Sequence, residues 1–282
     1  MKIISMKPQN IFKVIKTTFL IWKRSLIKTI PFSLMFMIAY LVLVDVFFHK
    51  LAHYNYEQFS LNLIFNKNHL LSSSKFILFV IIFSITNAST MYIINKVAND
   101  ENVHFSQALT IGSKKAFSQL LIFILYFMIL LIAPMLLIVL LYIIPNAFLY
   151  FKFVIYLYII LAFIPSIIMM VYFMFAMYQL IIEENSIIDA FKNSFKLVLG
   201  NWWYTFGTFL IISTIPSICS FIFDNFYIKN SIYINFFLKN SFSIIFITPL
   251  SYAFIIAVYI TLKQKTWFCR NYNALEGENN LF

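Results

Sequence analysis

Four side chains that could bind a metal ion recur at helical spacing near the end of the first apolar run. The set consists of Asp45, His49, His53 and Glu57. Residues four apart are neighbours on one face of a helix, and imidazole and carboxylate groups are ligands of zinc and similar divalent ions. The pattern predicts a metal site only if the helix continues beyond its apolar stretch. The other interpretation, which we favour, is polar decoration at the end of an apolar helix.

Proline recurs in the middle of four consecutive apolar runs, at Pro134, Pro165, Pro216 and Pro249. Because proline removes an intrahelical hydrogen bond, each position predicts a helix kink. Kinked helices occur in the broken spans of transporters, but neighbouring helices also satisfy the freed carbonyl in ordinary membrane packing. A polar cluster of Ser, Thr and Asn at 84–90 has the same two interpretations, interhelical hydrogen bonding or a substrate path.

Signatures of enzymes are missing from the sequence. It contains no HExxH, no G-x-S-x-G and no phosphate-binding glycine loop, and its four glycines leave little scope for one. No polar stretch is long enough to fold a catalytic domain. We therefore expect neither catalysis nor a cofactor.

Composition identifies the class of protein. Apolar residues make up 62% of the 282 residues and charged residues only 11%, whereas a soluble domain carries about a quarter charged residues. Apolar runs of about 20 residues recur, each long enough to cross the hydrocarbon core as a helix. They do not alternate with polar residues, which argues against a β-barrel. The net charge of +11 is spread over short segments between the runs, so we expect no nucleic-acid partner.

The apolar runs predict an all-α, polytopic membrane protein with six transmembrane helices. A basic amphipathic segment at 1–28 precedes a six-helix transmembrane domain at 29–264, and a cytoplasmic tail follows at 265–282. The predicted spans are about 29–48, 75–95, 117–143, 153–180, 203–223 and 241–262.

A polar island before the fifth span predicts an amphipathic helix on the membrane surface. Ser186 followed by Asp189 is a capping-box-like start signal. Apolar residues then form one stripe, at 187, 188, 191, 195, 198 and 202, with charged residues opposite. We expect anchoring to the membrane surface from Trp22, Lys192, Lys196, Trp202 and Trp203.

Internal similarity predicts three repeats. The stripe recurs near the N-terminus with a constant shift of 176, and a weaker version follows Phe105. With a shift of 82, Glu101 aligns with Glu183, Ala108 with Ala190 and Pro134 with Pro216. We therefore expect three hairpins, each preceded by a cytoplasmic amphipathic helix.

Basic residues predict the orientation. Most of the 21 lysines and arginines fall at 1–28, 95–116, 182–202 and 263–282, which places these segments and both termini in the cytoplasm. The surface helices would then contact anionic lipid of the cytoplasmic leaflet.

The segment from Glu183 to Leu197 reads E-x-x-S-x-x-x-A-x-x-x-S-x-x-L. With this pattern, the chain resembles the YciC-like family of bacterial inner-membrane proteins. It is also similar to the membrane domain of some glycerophosphodiester phosphodiesterases. The resemblance implies a multi-pass protein of the bacterial inner membrane. The phosphodiesterase domain has no counterpart in the chain, so its activity is not implied.

Three functions stay open. The first is a non-enzymatic role in envelope or membrane organisation, with the phospholipid bilayer, a membrane-protein partner or a second copy of the chain as partner. The second is a transporter or channel for a lipid or small solute. The third is a metal-dependent membrane enzyme built on the set that begins at Asp45.

Overall fold

The computed structural model describes residues 10–53, 67–143, 164–225 and 238–279, and these contain helices and no strand. The helices are α1 (Ile11–His53), α2 (Lys67–Ala98), α3 (Phe105–Ile143), α4 (Ala176–Ile182), α5 (Ile187–Val198), α6 (Trp202–Asn225) and α7 (Thr248–Asn279). Residues 164–173 are helical ahead of α4, and a π-helical turn, Ser243–Ile247, leads into α7.

Among the described residues, five helical segments are long and apolar enough to cross a membrane. They are Ile11–Val42, Lys75–Ala98, Phe105–Met128, Ile164–Ile182 and Leu238–Gln264. The chain is therefore a helical, multi-pass membrane protein. Helix α6, which contains the predicted fifth span, has 24 residues and is not one of the five.

Small and hydroxylated side chains, more than large apolar ones, form the packed face of α1. Val14, Thr18, Ser25 and Thr29 are buried, together with Ile21. In the predicted stripe on the same helix, by contrast, Phe12 is 78% and Phe19 52% exposed. This is the arrangement expected in lipid, where small residues allow close helix contact and large apolar ones can face the hydrocarbon.

Two of the predicted surface helices continue into the following span without a break. α1 runs through residues 11–28 and onward to His53, and α3 runs from Phe105 to Ile143. In the third repeat the helix stops at Val198 and restarts at Trp202. Gly200 has a φ of 83° at this break, a conformation that glycine adopts without strain. The matching positions, Arg24 and Ser118, offer no such freedom.

The chain divides into two compact units. The first comprises the described residues of 12–117 and 212–257, and its core includes Phe32, Ile93, Val97 and Ala108. The second comprises Asn10, Ile11 and the described residues of 118–211 and 258–279, and its core includes Ile122, Ala176, Leu180 and Ala190.

The four predicted kink positions lie in helical segments. Pro134 is inside α3, Pro216 inside α6, Pro165 in the helical stretch at 164–173, and Pro249 in the first turn of α7. Thr248 separates Pro249 from the π turn, and its N–H donates to the Ser243 carbonyl. π turns mark local departures from the α-helical ladder, so the helix is irregular at this proline.

Candidate functional site

A band of buried polar side chains runs along α2 in the first unit. Its five members are buried: Ser84, Thr86, Asn87, Ser89 and Thr90. Asn87 accepts a hydrogen bond from the Tyr252 hydroxyl at 2.6 Å, and Ser89 donates to the Ala108 carbonyl at 3.0 Å. These bonds join α2 to α7 and to α3, so part of the predicted cluster does form interhelical hydrogen bonds.

The contact between α2 and α3 depends on a glycine. A Cβ at position 112 would collide with the Ser89 hydroxyl and come within 2.7 Å of the Ile85 carbonyl oxygen. Gly112 therefore allows the start of α3 to lie directly against α2.

The second unit uses a serine at the matching position. Ser194, which aligns with Gly112 at a shift of 82, is fully buried. Its hydroxyl donates to the Tyr172 carbonyl at 2.7 Å and accepts from the Phe175 amide at 3.2 Å. The preceding helix is interrupted at residues 174–175, and Ser194 supplies partners for backbone groups next to this interruption.

The four other residues of the segment used for the resemblance also have defined places in this unit. Ser186 is the N-cap of α5 and accepts from the Asp189 amide at 3.2 Å, as predicted. Ala190 and Leu197 are buried beside Ser194. Glu183, at the head of the segment, forms an ion pair. The spacing of these residues therefore reflects the start of helix α5 and the face of α5 that is buried.

A polar cavity of about 270 Å³ lies beside α5 in the second unit. It is lined by Gln179, Glu183, Asn185, Asn193, Lys196, Leu197, Tyr259 and Lys263. Seven of these eight residues have polar side chains, so the cavity suits a hydrophilic ligand.

Glu183 accepts two side-chain hydrogen bonds at this cavity. Its Oε1 accepts from Lys263 Nζ at 2.6 Å and from the Tyr259 hydroxyl at 2.9 Å. Partial burial raises the pKa of the Glu183 carboxyl, but the Lys263 and Tyr259 hydrogen bonds and the Lys263 charge outweigh it, so the pKa is lowered overall. The Glu183 carboxyl therefore stays charged at neutral pH.

Two amides are also fixed to each other at this cavity. Asn185 Nδ2 donates to Gln179 Oε1 at 2.9 Å, across the turn between α4 and α5. Glu184 occupies this turn with a φ of 54°, which is unusual for a residue other than glycine. The turn thereby holds Glu183, Asn185 and Gln179 together.

A second polar cavity, of about 560 Å³, lies at the matching place in the first unit. It contains Lys96 and Glu101, whose Nζ and Oε2 atoms are 2.6 Å apart, together with polar residues of the following turn and α3. Asp100, in the turn before α3, has a φ of 60°, close to the 54° of Glu184 in the turn before α5. The Asp100 carboxylate binds Arg24 at 2.9 Å. Turns of similar geometry therefore precede both helices.

The predicted anchoring residues have different surroundings. Lys192 and Lys196 are both exposed on α5, and of the two only Lys196 lines the second-unit cavity. Trp203 is exposed, and Trp202 stacks on Phe206 with ring centroids 5.0 Å apart. Trp22 donates to the Phe246 carbonyl, inside the π turn, at 3.1 Å. Their role at a membrane surface stays a prediction.

The predicted metal site requires helix α1 to continue beyond its apolar stretch, and the helix does so. Helix α1 extends to His53, so Asp45 and His49 lie within the same helix, whereas Glu57 falls outside the described residues. Among the groups that the structure describes, no three His, Cys, Asp or Glu side chains are placed to hold a metal ion. The four-residue site therefore stays a prediction.

Sequence reasoning missed Tyr259, Lys263, Gln179 and Asn185 as cavity residues. A signal was available for one pair, because Glu183 and Lys263 are the first charged residues after the fourth and sixth apolar runs. Residues of opposite charge at the same end of two spans are expected to form an ion pair.

Comparison with known proteins identifies a family. Residues 32–258 match the family model described as "Domain of unknown function (DUF7847)". This covers most of the chain, which therefore belongs to the DUF7847 family. No curated protein and no solved structure matches the chain. The resemblance to the YciC-like family stays a prediction.

Proposed function

We propose that this DUF7847 protein is a six-span, non-enzymatic protein of the bacterial inner membrane that takes part in membrane organisation. Both termini would be cytoplasmic, because most basic residues occupy segments on that side. Helix α5 would lie in the cytoplasmic leaflet and bind anionic lipid. Helix α6 would be the additional span.

The exposure of α5 carries this proposal. Its small residues, Ala190 and Ser194, are buried against the protein. Ile188 is 67% and Phe195 40% exposed, and Lys192 on the same side is exposed as well. Large apolar side chains beside a lysine on one exposed side are typical of a helix at the lipid interface.

Cysteine labelling in membrane vesicles tests this placement. Two variants are compared, Ile188→Cys and Asp189→Cys, each in a protein that also carries Cys219→Ala and Cys269→Ala. Both positions are exposed, so neither is covered by the protein itself. A water-soluble maleimide is expected to label position 189 quickly and position 188 slowly in vesicles, because lipid covers only the latter. Equal labelling at the two positions would show that α5 lies in water and would contradict the proposal.

A transporter or channel is the second candidate, supported by the polar band of α2. Ser84 Oγ and Asn87 Nδ2 are buried and have no hydrogen-bond partner in the described part of the chain. Unpaired polar atoms in a span are costly, and a passing solute or water could satisfy them. Asn87→Leu should then slow the glycerol-driven swelling of proteoliposomes, with Asn99→Leu, at an exposed turn position, as the control. Equal rates in wild type and both variants would remove this candidate.

A further inference from the structure

Within the described part of the chain, one positive charge at the second-unit cavity has no acidic partner. Glu183 is paired with Lys263 at 2.6 Å, so these two charges compensate each other. Lys196 also lines the cavity; it is exposed and makes no hydrogen bond or ion pair within the described residues. The remaining charge is therefore that of a single ammonium group.

Neutral hydrogen-bonding groups surround this ammonium. Asn193, which precedes Lys196 by about one helical turn on α5, and the linked amides of Gln179 and Asn185 line the same space. Amides bind hydroxyl groups as donors and as acceptors. A volume of about 270 Å³ is several times the share of one water molecule in the liquid, about 30 Å³, so a small organic molecule fits.

We propose that this cavity binds a small polyhydroxylated monoanion, with Lys196 bound to the negative group and Asn193, Asn185 and Gln179 bound to hydroxyl groups. A sugar acid has this chemistry, and so does the headgroup of phosphatidylglycerol. The lysine supplies charge, and the amides distinguish a polyol from a simple anion.

The position of the cavity on α5 favours a ligand from water over a lipid. By helical spacing, Asn193 and Leu197 project from the side of α5 opposite to Ile188 and Phe195. The exposed apolar side of α5 and its cavity side therefore face different surroundings. This inference does not depend on whether α5 lies in the leaflet.

Calorimetric titration of the full-length protein in detergent tests the site. Gluconate, which carries one charge and several hydroxyl groups, is the probe; acetate provides the charge alone and glucose the hydroxyl groups alone. Saturable binding of gluconate is expected, with weaker binding of both controls. Loss of a charged hydrogen bond in Lys196→Gln should weaken gluconate binding about tenfold or more.

Lys192→Gln is the matched control, because it removes the same charge from the same helix outside the cavity. Unchanged gluconate binding in this variant supports the cavity. An equal loss in both lysine variants, binding of acetate as strong as that of gluconate, or no binding of gluconate would overturn the assignment. Phosphatidylglycerol vesicles are then added as competitor: displacement identifies the lipid headgroup as the source of this chemistry, and no displacement identifies a soluble ligand.

Discussion

The hydroxyl group of Ser89 lies where the side chain of residue 112 would begin, and Gly112 leaves that space empty. The same hydroxyl donates to the Ala108 carbonyl one turn earlier in α3. A serine on one helix and a glycine on the next thus bring two membrane helices into direct contact, as small residues do in lipid.

Gly112→Ala is expected to destabilise the protein. Alanine stabilises a helix by about 1 kcal/mol relative to glycine. Overpacking destabilises by about 1–3 kcal/mol, and it cannot be relieved here because the Ile85 carbonyl near the new Cβ belongs to the backbone and cannot rotate away. Thermal unfolding in detergent should show a lowered midpoint.

Gly207→Ala is the control for this substitution, because no atom lies within 4 Å of a Cβ built there. Gly207 is inside α6, so alanine should stabilise by about 0.5–1 kcal/mol. If Gly112→Ala raised the midpoint as Gly207→Ala does, the tight contact between α2 and α3 would be disproved.

Ser194→Ala should destabilise the second unit by about 1–3 kcal/mol, because the Phe175 amide and the Tyr172 carbonyl both lose their bond to the Ser194 hydroxyl. Chemical unfolding in mixed micelles measures the change. Ser217→Ala, at an exposed position of α6, should change stability by less than about 0.5 kcal/mol. Two variants of equal stability would mean that the buried hydroxyl bonds contribute nothing.

Sequence reasoning was strong where a local rule decides the structure. The N-cap at Ser186 was predicted from its spacing to Asp189 and is confirmed. Helical character was predicted from the length of the apolar runs and is confirmed. The threefold repeat stays a prediction, although its aligned positions Val14, Ala108 and Ala190 are all buried. These features depend on residues close in the sequence and on the surrounding solvent, and both can be inferred from the sequence.

Features that depend on contacts between residues far apart in the sequence were not predicted. The predicted stripe of α1 contained large residues such as Phe12, whereas the packed face includes Thr18 and Ser25, which hydrophobicity does not single out. The cavity residues Glu183 and Lys263 are 80 positions apart. Pairing at that distance follows from how the helices pack, and the pattern of a single sequence does not show it.

The ion pair of Glu183 should give stability a defined pH dependence. Because the pKa of this carboxyl is lowered in the folded protein, its contribution is present above the ordinary glutamate pKa and is lost as pH falls through the folded value. Wild type should therefore unfold at a higher temperature than Glu183→Gln at pH 7, and the difference should shrink in acid. Since both side chains are partly exposed, we expect an effect of about 1 kcal/mol at most.

Glu184→Gln is the control for this titration, because the neighbouring carboxylate is exposed and does not line the cavity. Its midpoint should follow that of wild type at every pH. A constant difference between wild type and Glu183→Gln from pH 7 into acid would exclude a contribution from the charged carboxylate.

Gly200→Ala should be destabilising for a different reason from Gly112→Ala. Nothing lies within 4 Å of a Cβ at position 200, but the backbone there has a φ of 83°, which costs an L-residue roughly 1–2 kcal/mol. Gly200→Asn should be milder, because asparagine tolerates this left-handed conformation better than alanine does. The unfolding midpoints should therefore rank wild type above Asn and Asn above Ala. If alanine proved as stable as glycine, the break between α5 and α6 would not need a left-handed residue, and the absence of glycine at the matching positions could not explain why α1 and α3 continue unbroken.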